Sequence, residues 1–130
     1  WGITHDAQNR RFIVSDGSPY LHFWDDETLE ESNPKILVTR QNGAPAKNLN
    51  ELEFYKGLVL ANVWYQEDII AIDPETGDVI KEYDFSTLWP KSERRFQRAD
   101  VLNGISVSDT DGELYVTGKK WNRIYRIELN

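Results

Sequence analysis

The sequence predicts an all-β chain of repeated four-stranded antiparallel units, and three observations carry that prediction. The first is a shared frame. Trp1-Gly2-Ile3-Thr4 leads through a turn into Phe12-Ile13-Val14-Ser15-Asp16, and Leu49-Asn50-Glu51-Leu52-Glu53 leads into the run from Leu58 to Trp64. Leu102-Asn103-Gly104-Ile105 leads in the same way into the run from Leu114 to Lys119. Trp1, Asn50 and Asn103 thus recur about 50 residues apart, a period that marks propeller blades when each repeat is built from short strands. The second observation is apolar alternation on both faces of one strand. Leu58, Leu60, Asn62 and Trp64 alternate with Val59, Ala61 and Val63, as expected where a strand is covered on two sides. The third is turn chemistry. Between the apolar run from Ile69 to Ile72 and the alternating run from Val79 to Phe85 stands Asp73-Pro74-Glu75-Thr76-Gly77-Asp78. Its Pro presets one turn dihedral and its Gly supplies a positive one.

The elements follow in order. In the first repeat Tyr20 to Trp24 is the expected third strand, with Asp25-Asp26-Glu27-Thr28 at the turn. The stretch from Ser32 to Lys47 reads as a loop. The second repeat supplies four strands, the third ends on Tyr125-Arg126-Ile127-Glu128-Leu129 as a third strand without a fourth. Ser86 to Asp100 reads as a long connection with a helical turn after Ser92, and Arg94-Arg95-Phe96-Gln97-Arg98 as a solvated part of it. The expected blades are residues 1–45, 46–88 and 101–130, the last incomplete, so that residues 1–130 make a partial β-propeller. Closed propellers usually have four to eight blades. An arc would expose unpaired edges, so the ring is expected to be completed by a missing part of the parent sequence or by another chain, and the isolated arc to fold poorly or to associate.

Composition narrows the function. A net charge of −7 over 130 residues argues against nucleic acid, whose phosphates call for a basic face. No run of 18 apolar residues stands in the chain, so no helical membrane span is expected. No leader-like segment stands at the N-terminus, and a chain that opens directly on an inner strand would have lost one in any case. With no cysteine there is no thiolate site and no disulfide framework. His5 and His22 have no metal-ligand spacing and read as partly exposed strand residues.

Strand order alone gathers polar groups at one mouth of the channel, because in an antiparallel hairpin the start of one strand lies beside the end of the next. Asn50 falls opposite Asn62 with Trp64 just beyond, Asn103 falls near Gly118 and Lys119, and Trp1 falls near Asp16 and Gly17. Taken singly, Trp64 fills space between blades and Asn50 or Asn103 satisfies strand-end backbone. A Lys that ends an apolar strand after Thr-Gly is less ordinary. One of Glu51 and Glu53 is expected to point into a blade interface. Trp24, Trp89 and Trp121 read as packing residues beside turns or outer strands.

Together, Leu49-Asn50-Glu51-Leu52-Glu53, Ala61-Asn62-Val63-Trp64, Ile72-Asp73-Pro74-x-Thr76-Gly77, Val101-Leu102-Asn103-Gly104-Ile105 and Thr117-Gly118-Lys119-x-Trp121 resemble the plant and bacterial type of glutaminyl-peptide cyclotransferase. Trp1-Gly2-Ile3-Thr4 and Ser15-Asp16-Gly17-Ser18 also look like that family. The matches run in register from Trp1 to Ile127. The resemblance implies a five-bladed propeller of which this chain is the C-terminal half, and a metal-independent acyltransferase that turns N-terminal glutamine of peptides into pyroglutamate with release of ammonia.

It implies Asn50 and Lys119 as catalytic polar groups and Trp1 and Trp64 as substrate-binding walls; Asn103, at the same mouth, is the further substrate-binding candidate. No cofactor is implied for catalysis; a structural cation is left open. The implied partners are a peptide with N-terminal glutamine and the blades that close the ring, without nucleic acid or membrane. The implied compartments are secreted, periplasmic or vacuolar. The family's general acid/base glutamate belongs to an N-terminal motif that this chain does not contain, so the chain alone is expected to be inactive. Trp121-Asn122 stands where the family often has Trp-Pro. Two other readings stay open. One is a non-catalytic propeller module that binds a peptide or other ligand. The other is a metal-dependent propeller hydrolase, for which Asn50, Asn103 and Asp16 are a thin start.

Overall fold

The computed structural model describes all 130 residues. Its strands are β1 (Gly2–Asp6), β2 (Arg11–Ser15), β3 (Tyr20–Asp25), β4 (Glu31–Leu37), β5 (Leu49–Tyr55), β6 (Leu58–Val63), β7 (Asp68–Ile72), β8 (Val79–Asp84), β9 (Leu102–Val107), β10 (Leu114–Gly118) and β11 (Tyr125–Ile127). Each pairs antiparallel with its sequence neighbour in three separate sheets, β1-β2-β3-β4, β5-β6-β7-β8 and β9-β10-β11. The molecule is all-β and blade-like, and the third sheet has three strands where the others have four. The inner strands β1, β5 and β9 lie side by side in that order, so the same end of all three hairpins comes together.

The second sheet is covered on both faces, which explains its apolar run. Ile70 and Ile72 face the first sheet and join Ile13, Leu21 and Phe23 in a buried cluster of 13 residues. Ile69 and Ala71, on the other side of the same strand, join Leu102, Leu114 and Val116 in a cluster of 8. Alternation with a period of two is what lets one strand serve both cores.

One expected loop is a strand. β4 covers the start of the stretch from Ser32 to Lys47, pairing Leu37 with Tyr20 and Ile36 with Leu21. Its side chains are exposed almost throughout, so nothing in its composition alternates, and its Pro34 is tolerable only because the strand is an edge. The rest of the stretch ties the first two sheets together. Thr39 N–H donates to the Gly77 carbonyl at 3.0 Å and Val79 N–H to the Thr39 carbonyl at 2.9 Å, while Val38 and Ala46 are fully buried in the larger core.

Both β5 and β9 carry a bulge at the same place. Leu49 pairs with Val63 and Leu52 with Ala61, so Asn50 and Glu51 together oppose Asn62. Ile105 pairs with Val116 and Leu102 with Gly118, so Asn103 and Gly104 together oppose Thr117. A bulge of this kind re-aims side chains and tightens local twist. Both lie at the end of the hairpins where the expected polar residues gather. No helix is long and apolar enough to cross a membrane; the only helical segment is a short one, α1 (Lys91–Arg94), running into a 3-10 turn at Arg95–Gln97.

Candidate active site

Four of the five expected residues line one cavity of about 300 Å³: Trp1, Asn50, Trp64 and Lys119. They come from all three sheets. The Trp1 and Trp64 rings meet edge to face with centroids 5.3 Å apart, and the Lys119 ammonium sits 5.0 Å from the centroid of the Trp64 ring. The cavity is thus an aromatic corner with a cation and a carboxamide beside it. Asn103 is not part of that lining. Its Oδ1 is buried without a hydrogen-bond partner in the chain, as is Nδ2 of Asn62.

Each wall is set by local structure. Trp1 lies on the bare Cα of Gly17, where a Cβ would stand 2.6 Å from the indole; φ there is +88°, a backbone state that suits glycine. Asn50 is 7 % exposed, and its carbonyl accepts the Ser15 hydroxyl at 2.5 Å. Ser15 Oγ also accepts Gly2 N–H at 2.9 Å. That shared hydroxyl couples β1 and β2 to β5 directly behind the cavity. Trp64 N–H donates to the Asn48 carbonyl at 2.9 Å, and Tyr65 stacks on the Trp64 ring with centroids 4.2 Å apart.

Lys119 is held from below by residues whose role the sequence does not display. Its N–H donates to Val101 and its carbonyl accepts Asp100 N–H, at 2.9 and 2.8 Å. The Trp121 indole donates to the Asp100 carbonyl at 2.7 Å and lies against Gly118, leaving no room for a Cβ. Arg94, expected in a solvated loop, is 3 % exposed. It donates to the Asp100 carbonyl at 2.8 Å and to Glu67 at 2.7 Å, and its guanidinium lies over the Trp121 ring. Nothing in a string of basic residues tells which one turns inward. The cue lies in its partners, since Glu67 is remote in sequence. Trp89 is buried and packs edge to face on Trp121, in keeping with its expected packing role.

Glu53 is the carboxylate that enters a blade interface, accepting Val107 N–H at 3.2 Å. Burial pushes its carboxyl up, Asp109 and Glu51 push the same way, and the Val107 bond opposes them. It lines a separate cavity with Ile3, His5 and Asp109, while Glu51 lines another against Tyr115 and Thr117. Neither carboxylate borders the cavity of Lys119. Asp16, which a metal-dependent reading would need beside Asn50 and Asn103, is bonded instead to Ser18 N–H and His22.

Comparison with known proteins identifies the family of the chain. A family model described as glutamine cyclotransferase matches residues 1–129. A glutaminyl-peptide cyclotransferase of Arabidopsis thaliana is 35% identical over 130 residues, covering 99% of this chain and 39% of that protein. The crystal structure of Myxococcus xanthus glutaminyl cyclase superposes with a TM-score of 0.82 at 30% identity, over 98% of this chain and 54% of that one. The chain therefore spans between two fifths and about half the length of these relatives. A luciferin-regenerating enzyme shares the fold at a TM-score of 0.62 and 14% identity, over 90% of this chain and 36% of that one. By sequence over nearly its whole length and by fold, this chain belongs to the glutamine cyclotransferase family.

Proposed function

We propose that the chain supplies the substrate-binding part of a glutaminyl-peptide cyclotransferase site, acting on peptides with N-terminal glutamine. The observation that carries this reading is the convergence of Trp1, Asn50, Trp64 and Lys119 from three sheets on one cavity. In the reaction the α-amine nitrogen bonds to the γ-carboxamide carbon, an oxyanion develops, and the C–NH₂ bond breaks. One proton leaves the amine and one joins the departing nitrogen, giving ammonia and a five-membered lactam. Trp1 and Trp64 fold the short side chain for attack and exclude water. Asn50 orients the carboxamide. Lys119, whose ammonium lies beside the Trp64 ring, stabilises the developing oxyanion. The proton carrier is not among these four. With Glu51 and Glu53 bordering other cavities, that role falls to a group outside this chain, and no metal is assigned to the chemistry.

Ammonia release from a glutaminyl peptide by the full-length protein, with and without chelator, is the assay. Lys119→Ala is expected to lower kcat more than tenfold, since a lost oxyanion donor costs roughly 3 kcal/mol, and Trp64→Ala to act mainly on KM. The 130-residue chain alone is expected to be inactive. Loss of activity to chelator, or indifference to Lys119→Ala, overturns the mechanism; binding of the peptide without turnover favours a non-catalytic module.

A further inference from the structure

A second ring of contacts stands directly behind the aromatic walls. β3 sends Leu21 and Phe23 into the core and so presents Tyr20, His22 and Trp24 on its opposite face. There both nitrogens of His22 meet carboxylates: Nδ1 is 3.3 Å from Glu31 and Nε2 is 3.1 Å from Asp16. A neutral imidazole carries one N–H and bonds one of them; only the imidazolium donates to both. Other charges on this face are engaged elsewhere. Lys35 lies over the Tyr20 ring, and His5 pairs with Asp26, which also faces Arg10. β2 offers Val14 opposite His22.

Asp16 leads from His22 to the cavity. Its other oxygen accepts Ser18 N–H at 3.0 Å, closing a turn around Gly17. Hydrogen bonds from Ser18, and then the His22 ring, hold the Asp16 carboxyl below the usual carboxylate range against opposition from partial burial. Gly17 is the surface on which Trp1 lies. Its carbonyl accepts Asn48 N–H at 2.9 Å, and the Asn48 carbonyl accepts Trp64 N–H at 2.9 Å. One turn therefore supports both aromatic walls, the first by contact and the second through two backbone bonds.

We infer that His22 is a positioning residue for these walls: as an imidazolium it fixes the Asp16–Ser18 turn through Asp16 and Glu31, and as a neutral ring it releases one of the two carboxylates. The inference rests on the reading of Trp1 and Trp64 as substrate walls. The brace is therefore complete where the ring is charged, on the acid side, and weakens where it is neutral. Substrate hold follows it. Chemistry does not, because Lys119 is anchored through Asp100 and Val101 instead.

The test uses the full-length protein from pH 5 to 9. Ring nitrogens of His22, the Gly17 amide and the indole N–H groups of Trp1 and Trp64 are followed by NMR, beside KM and kcat for a glutaminyl peptide. Expected are one common midpoint for the His22 ring, Gly17 and Trp1, and a wild-type KM that, divided by that of His22→Gln at each pH so that protonation of the substrate's α-amine and of the proton carrier cancels, rises across it by on the order of fivefold, at the low end of site-to-site coupling, with the kcat ratio nearly level. His22→Gln, which bonds without titrating, should lack this component of the KM profile and silence the Gly17 and Trp1 shifts. Glu31→Gln should keep the turn intact and shrink the effect. Gly17 and Trp1 signals unmoved through the His22 titration, or a KM profile unchanged in His22→Gln, overturn the brace. If no glutaminyl peptide is turned over at any pH, the proposed function falls, and the NMR arm still decides the brace by itself.

Discussion

The seam between the first and second sheets and the seam between the second and third are built differently. The first is closed by short hydroxyls against backbone. Ser15 bridges Gly2 and Asn50, Thr4 accepts Phe54 N–H at 2.8 Å, and Gly2 lies so near the Asn50 carbonyl that a Cβ has no place. The second is spanned by longer arms. Asn62 Oδ1 accepts Gly104 N–H at 2.9 Å and Glu53 accepts Val107 N–H at 3.2 Å. The cores differ in the same sense, 13 buried residues against 8. Trp1 and Asn50 therefore face each other across a seam set by backbone approach. Trp64 and Lys119 face each other across one set by side-chain reach, where a single substitution can change the spacing.

The largest effect should come from Ile70→Ala, set against Ile69→Ala. The two side chains are fully buried neighbours on β7 that enter opposite cores. Removing either should cost several kcal/mol, about 4 for Ile70 and less for Ile69, whose smaller core has more freedom to collapse; urea midpoints measure both. An equal or reversed order would erase the contrast between seams. Gly2→Ala comes next at roughly 3 kcal/mol, since the new Cβ meets backbone that cannot turn away. Below it, Asn62→Leu should cost about 2 kcal/mol by stranding Gly104 N–H, and should loosen Lys119 from Trp64. Quenching of Trp64 fluorescence by iodide would report that loosening.

The smallest expected effect concerns Glu53 and pH. Burial raises its carboxyl above the unfolded value, which is about 4.3. For an acid shifted upward, the stability it contributes is whole below the unfolded value and is lost as pH rises through the folded one. Glu53→Gln keeps an oxygen for Val107 N–H and removes the charge. It should therefore raise the urea midpoint at pH 7 slightly and leave it unchanged near pH 4. A gain of equal size at both would place the effect outside ionisation.

Period and turn chemistry made the strands around the second sheet legible, because that sheet is apolar on both faces and any error in register would bury charge. The same logic brought Trp1, Asn50, Trp64 and Lys119 to one mouth, since strand order alone decides which hairpin ends meet. β4 was hidden for the opposite reason: an edge strand solvated on both sides carries no pattern. Arg94 was hidden because its burial depends on Glu67 and Trp121, brought near only by the packed sheets. Asn103 stands at the strand end as expected, in a bulge equivalent to that of Asn50, yet only Asn50 joins the cavity lining.

That bulge and its counterpart in β5 separate two kinds of freedom along one strand. Beyond an added residue, side chains change phase with respect to the rest of the ladder. Leu52 and Ile105 stay in their cores whatever stands at the mouth, so the mouth can vary its chemistry without disturbing the interior. The arrangement also holds an alternative in reserve. Deleting Asn50 would straighten β5 and leave Glu51 as the single residue opposite Asn62. A carboxylate would then stand where a carboxamide stood, with every core side chain still in register.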